Sequence, residues 1–313
     1  MRAKSIVKIV ICSVVALLLI GVLAGALFYG EFKGIPEVFH IRTSKHGISE
    51  RYDDSNYREG DAEITQDVRS VEVDWESGKI RIAAYDGDTV RLRETGASAN
   101  DTLRWSCENG TLVIHSHRSL FTFSLTAHKD LEILLPSGIY NELKISTSSA
   151  DIALEGSDLT FQTLETESAS GNLEITGCTV GSIEFDSASG SCNAVDGSVN
   201  SFDMDTASGD ATLSGSFGRI EIDSISGGFV LNASTAPDEI SFDSTSGDAE
   251  LTLPADAAFR AELDSVSGKL FANGFENGSY PDGIRTYVSG QNGRSAAEYD
   301  FETISGDVKI RAN

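Results

Sequence analysis

Basic residues are what this chain has least of where it is most regular. Between Ser146 and Phe259 there are 20 Asp or Glu and a single base, Arg219, within 313 residues of formal net charge −24. Nucleic acid and anionic lipid headgroups need basic footprints, so neither is expected to partner that stretch. Catalytic signatures are absent as well: there is no His-Glu-x-x-His, no phosphate-binding glycine loop, and no Ser, His and Asp in a recognisable local context. Enzymes that cleave polysaccharides on elongated β-helices gather carboxylates beside a base in one groove. Here the carboxylates recur at intervals with almost no basic company, so no catalytic residue is assigned and a non-enzymatic chain is expected. Cysteine is scarce, and the three that follow the first 30 residues, Cys107, Cys178 and Cys192, cannot all pair within the chain. Free, mostly buried thiols are expected, with a Cys178–Cys192 bridge as the alternative. His115 and His117 share one side of a strand near His128, and read as exposed polar surface in preference to a metal site.

One long apolar run is present. Arg2, Lys4 and Lys8 precede 21 residues without a charge, Ile9 to Tyr29, which is the length needed to span a bilayer. Ala24-Gly25-Ala26 resembles a cleavage site, and a cleavable signal peptide is the competing reading. The run is longer than a signal peptide's apolar core and continues past that site. An uncleaved anchor is therefore expected, cytoplasmic at its N-terminus because its basic residues come first, with the remainder outside the cell membrane. The chain then divides into a tail (1–8), an anchor (9–29), a polar stalk (30–66) and an ectodomain (67–313).

The ectodomain is organised around one phrase: an acid, Ser or Thr, any residue, Ser, Gly. It ends at Gly171, Gly190, Gly209, Gly227, Gly247, Gly268 and Gly306, at intervals of 19, 19, 18, 20, 21 and 38 residues. Self-similarity at this period means stacked units. Residues seven and five before each glycine are mostly apolar, as in Ile183 and Phe185, while those six and four before it are mostly acidic, as in Glu184 and Asp186. That alternation is a half-buried strand with its carboxylates in water. The Ser-Gly is read as a turn that uses glycine's tolerance of positive φ, and a second short alternation follows, as in Leu173 and Ile175. The expectation is an all-β chain, a parallel β-solenoid with coils of about 20 residues, preceded by one transmembrane helix.

Stacked coils would align hydroxyl ladders and acidic columns. Like charges directly opposite on neighbouring strands destabilise, so Asp186, Asp205, Asp223, Asp243 and Asp264 are the candidate cation column. With no compact calcium loop in the sequence, any Ca²⁺ held there is expected to be weak and distributed. Within the ectodomain, 67–145 reads as an irregular beginning with capping hairpins, 146–271 as the regular repeats, 272–298 as an insertion and 299–313 as the last coil. Leu134-Leu135-Pro136 and Leu251-Thr252-Leu253-Pro254 are similar, so a strand ending in Pro is expected to punctuate the stack twice.

Trp75-Glu76-Ser77-Gly78-Lys79-Ile80, the strand ending at Pro136 and the repeated Ser-x-Ser-Gly-Asp phrase together resemble the bacterial putative-adhesin domain of unknown function, over about Val68 to Ile310. The resemblance implies a β-solenoid displayed at the bacterial envelope, often behind a membrane anchor and sometimes encoded beside envelope-stress regulators. It carries over no catalytic residues. A non-enzymatic surface protein for adhesion or for binding an extracellular protein or glycan is the function expected, and an accessory sensor acting through a membrane signalling partner is the alternative.

Overall fold

The structure, a computed structural model, describes residues 56–96, 102–116, 129–281, 283, 285–290 and 297–313. The tail, the expected anchor at 9–29, most of the stalk, His117 and His128 lie outside the described residues. Among the described residues no helix is long and apolar enough to cross a membrane. Tyr57–Asn313 forms a compact unit by itself, and its named elements among the described residues are all strands.

Each repeat folds into one coil. In the strand Leu159–Ser168 the buried residues are Leu159, Phe161, Leu164 and Thr166. The step of three between Phe161 and Leu164 breaks a period of two, and the ladder skips the pair at Gln162, so the strand turns a corner there. After the turn at 169–172, Leu173–Thr176 buries Leu173 and Ile175. Gly177, at φ 75°, then lifts the chain to the next coil. Three short faces thus enclose the core. Parallel pairing makes columns of like residues, such as Leu164, Ile183, Phe202, Ile220, Ile240, Tyr299 and Ala261. Every member is fully buried, and burying each large one stabilises by about 1.5–3 kcal/mol.

 

In space the described residues make ten coils. Coil 1 is Thr111–Ser116 with Lys129–Pro136, coil 2 is Ser70–Trp75 with Gly78–Tyr85, and coil 3 is Gly138–Thr147 with Asp151–Glu155. Coils 4 to 7 follow in chain order through 159–176, 179–195, 198–214 and 216–235. Coil 8 is Glu239–Ser244 with Ala249–Leu253. Coil 9 is Ala297–Thr303 with Val308–Ala312, and coil 10 is Phe259–Ser265 with Leu270–Asn273.

The order departs from the sequence at both ends. Coil 2 precedes coil 1 in the chain, which then passes to coil 3 after Pro136. Likewise the chain leaves coil 8 at Pro254 and passes to coil 10, and its last coil returns to fill the place between them. The two Pro-terminated strands therefore mark the two places where the chain skips a coil. Proline lacks the N–H that would continue a ladder, which suits it to that exit. The expectation that 299–313 ends the stack is corrected: those residues lie one coil inside the end. Stacking in chain order would leave Ala297–Ala312 as a bare edge, whereas the observed order puts outermost a coil that carries its own cover.

Both ends are covered by antiparallel strands, which interrupt the parallel stack. At the first end Leu103–Glu108 pairs on coil 1 and Arg58–Glu59 pairs outside it, while Val90–Thr95 and Ala62–Ile64 cover the other face. Residues 58–64, assigned to the stalk from sequence, thus belong to this cap. A buried ion pair, Lys129–Glu94 at 3.2 Å, ties the cap to coil 1. At the far end Thr286–Ser289, from the 272–298 insertion, pairs on Phe259–Ser265. The Tyr280 hydroxyl accepts from the Ala272 N–H at 2.6 Å and donates to the Ala272 carbonyl at 3.2 Å, occupying the edge of the outermost strand.

Candidate functional site

The repeated phrase resolves into four columns, each with a different task. The glycines stand directly over one another. None of the seven has positive φ, so the reading that they supply a left-handed turn is corrected. A Cβ on Gly209 would lie 1.8 Å from the carbonyl oxygen of Gly190, and one on Gly227 would lie 1.8 Å from that of Gly209. Gly171, Gly190, Gly247, Gly306 and Gly268 meet the coil below at 1.8–2.1 Å. Glycine is required there because backbone lies where a side chain would begin. The positive φ falls instead at the opposite corner, on Gly156, Gly177, Asp196 and Gly215.

The hydroxyl three residues before each glycine is also placed differently from expectation. It accepts the N–H of its own coil's glycine, as from Gly190 to Ser187 Oγ at 2.7 Å and from Gly209 to Thr206 Oγ1 at 2.9 Å. The same bond recurs at Gly171, Gly227, Gly247, Gly268 and Gly306. At Ser265 the hydroxyl also donates to the Ile304 carbonyl of the neighbouring coil at 3.3 Å. Coil-to-coil bonding falls to the residues on either side of the glycine. The Ser before it donates to a carbonyl of the neighbouring coil, as from Ser189 Oγ to Ala169 at 3.4 Å and from Ser267 Oγ to Ile304 at 3.3 Å, and the residue after it forms a ladder of its own. Asp151 Oδ1 accepts the Asn172 N–H, Asn172 Oδ1 that of Ser191, Ser191 Oγ that of Asp210, and Asp210 Oδ1 that of Gly228. Asp248 and Asp307 continue this ladder to Asp307 and Lys269. The Asp of Ser-Gly-Asp is thus a strut between coils, a role that short Asn, Asp and Ser side chains suit because they readily bond nearby backbone.

The candidate cation residues do come together. Across the stack they form one column: Glu167, Asp186, Asp205, Asp223, Asp243, Glu302 and Asp264. Glu167 and Glu302, the two repeats written with Glu, belong to it as fully as the five Asp. Two residues earlier a second column runs beside it: Glu165, Glu184, Asp203, Glu221, Ser241, Asp300 and Glu262. Cations stand at its margins. Lys144 pairs with Glu165 and lies 4.0 Å from Glu167 below, Arg219 bridges Glu221 and Glu239, and Arg285 reaches Asp264 at 3.7 Å.

Crowding changes how these carboxylates titrate. Asp205 is pushed up to about 7, by partial desolvation first and then by Asp223, Asp186 and Asp203. Asp186 rises to about 6 by desolvation and the charges of Glu184 and Glu167. Asp203 and Asp300 are raised for the same reasons. Among the described residues no group of three or more His, Cys, Asp or Glu converges on a point where it could hold a metal ion. A flat row offers a hard cation one or two oxygens per coil, whereas calcium takes 6–8.

The remaining sequence candidates lie apart from this face. Cys107, Cys178 and Cys192 are free, and the last two are buried. His115, read as exposed, is buried instead, with its ring edge-on to Tyr57 at 4.6 Å. A surface depression of about 410 Å³ lies in the first cap among Asp61, Glu63, Arg91, Arg93 and Glu132, and Arg91 and Glu63 pair there at 3.1 Å.

No curated protein matches the chain. Among solved structures it is similar to a putative cell adhesion protein from Clostridium sporogenes, at 13% identity and a TM-score of 0.32, over 82% of this chain and 100% of that one. A putative lipid binding protein from Parabacteroides distasonis matches at 14% and 0.44, over 82% of this chain and 97% of the other. A putative adhesin from Bacteroides fragilis matches at 12% and 0.38, with the same coverages. A family model spans residues 68–311, nearly the whole unit described above, and by that match the chain belongs to the Toastrack DUF4097 family of domains of unknown function.

Proposed function

We propose that the chain is a non-enzymatic protein of the bacterial cell envelope, anchored by residues 9–29, whose solenoid is a surface for adhesion or for binding an extracellular protein or glycan. The observation that carries this reading is repetition: the outward side chains of one coil recur on the next at one strand spacing, about 4.8 Å. A catalytic centre needs one unique constellation, whereas a column of equivalent positions suits an extended or repeating ligand. Such a ligand engages several coils at once, so its affinity rises with coil number.

The test is binding of the unit 57–313 to a glycan array and to extracellular matrix proteins, beside variants from which whole coils have been removed and whose β-structure is checked by circular dichroism. Saturable binding that weakens stepwise with each coil removed is the expected result. Binding that ignores coil number would remove the basis of the proposal. If no glycan or matrix protein binds, and the full-length chain instead recovers a signalling protein from membranes, the envelope-stress sensor replaces the adhesin.

A further inference from the structure

The non-sequential end of the stack makes the last coil an inserted part. Coil 8 and coil 10 pair with coil 9 on its two sides and form no ladder with each other. They are joined only through residues 254–258, so without coil 9 both present open parallel edges. An open edge templates another strand. The occupant is the chain's own last segment, residues 297–313, which follows the cap strand Thr286–Ser289 of coil 10 after residues 290–296.

What the slot recognises is specific. Tyr299 and Phe301 enter the core between Ile240 and Phe242 on one side and Ala261 and Leu263 on the other. The Tyr299 hydroxyl donates to the Pro237 carbonyl at 3.0 Å. Gly306 passes between Gly247 and Gly268, where no side chain fits. Outside, Lys309 pairs with Glu250 at 2.8 Å and Arg311 bonds Thr252 at 3.0 Å. These contacts depend on the sequence of the entering segment and not on which copy of the chain supplies it.

We propose that this slot accepts the C-terminal coil of a second copy, so that two chains associate by reciprocal exchange of residues 297–313. Each slot in the exchanged pair is filled by the same side chains in the same register as in the single chain. Exchange therefore costs mainly the entropy of association, and concentration decides the balance.

Two experiments test it. In a Cys12→Ser, Cys107→Ser background, Glu250→Cys with Lys309→Cys puts a thiol on each of two ladder partners, within the separation a disulfide spans. Oxidation links coil 8 to coil 9 inside one chain when the coil is its own, and links two chains when it is exchanged. The full-length protein, refolded at increasing concentration and then oxidised, is expected to give a rising share of disulfide-linked dimer. Linkage confined to single chains at every concentration overturns the proposal. In the second experiment a chain ending at residue 290 is offered a labelled synthetic peptide of residues 297–313. Capture of that peptide, and not of a scrambled one, is expected. If the shortened chain is folded and captures nothing, coil 10 has closed directly on coil 8 and the slot does not exist as an acceptor. If it is unfolded, the peptide present during refolding should restore the β-sheet signal, and failure to do so also overturns the proposal.

Discussion

At the scale of single residues, the glycine column is the tightest constraint in the molecule. Gly209→Ala would put a methyl carbon 1.8 Å from the Gly190 carbonyl oxygen, and the obstacle is backbone, which cannot rotate away. Thermal unfolding should show a loss of about 3 kcal/mol or more, as for a severe overpacking change. Gly228→Ala is the control, because its added Cβ meets nothing nearer than 3.5 Å; it should shift stability by less than about 1 kcal/mol. Thr166 is the opposite case. It stands in a column with Phe185 and Met204, is 1% exposed, and its hydroxyl has no hydrogen-bond partner among the described residues. Thr166→Val keeps the shape and removes the unsatisfied group, so it should raise stability by about 1 kcal/mol. An unchanged or lowered midpoint would mean that the hydroxyl is satisfied after all.

At the scale of the strand and its columns, the acidic face carries a dependence on pH whose sign follows from the raised titration of its carboxylates. In the unfolded chain an Asp titrates near its ordinary value, about 3.9. Folded, Asp186 and Asp205 hold their protons up to about 6 and about 7. The folded state thus binds more protons between those limits, and stability falls as pH rises from about 4 to about 7, levelling above. Asp205→Asn removes one of the crowded charges. Its midpoint should exceed that of the parent at pH 7.5 and converge with it near pH 4, and added salt should narrow the gap at pH 7.5 by screening. A difference that stays constant across the pH range would show that the substitution acts through packing. These columns were largely legible beforehand, since a period of two with acids at alternate positions declares an outward face. The turn was not: Ser-x-Ser-Gly looks the same whether glycine serves positive φ or close approach, and only the stacking of backbone on backbone separates the two. Nor did the sequence distinguish the Asp after the glycine, a strut between coils, from the Asp before the phrase, a member of the crowded face.

At the scale of the whole molecule, the repeat announced the solenoid but not the order of its coils. Pairing between neighbours is written in every repeat alike, so the phrase at Gly306 fits above Gly247 as well as above Gly268, and the capped coil 10 decides between them. The same interchangeability makes a prediction about length. Each coil touches only the coil on either side, so stability is close to a sum over neighbouring pairs. Removing residues 190–208 deletes one full period and sets Gly209 over Gly171, Ala211 over Leu173 and Ile220 over Ile183, with every inward residue still inward. The shortened chain should remain folded, with its β-sheet spectrum intact and a modestly lower midpoint. Removing only 190–198 deletes about half a period, which takes away Gly190 and inverts the alternation after it, setting Ser201 and Asp203 at the inward places of Cys192 and Ala194 and turning Phe202 outward. That chain should not fold. If both deletions are tolerated, the coils are not held in register by their columns. If neither is, the stack behaves as one indivisible core, and the additive description fails along with the expectation that ligand affinity can be trimmed coil by coil.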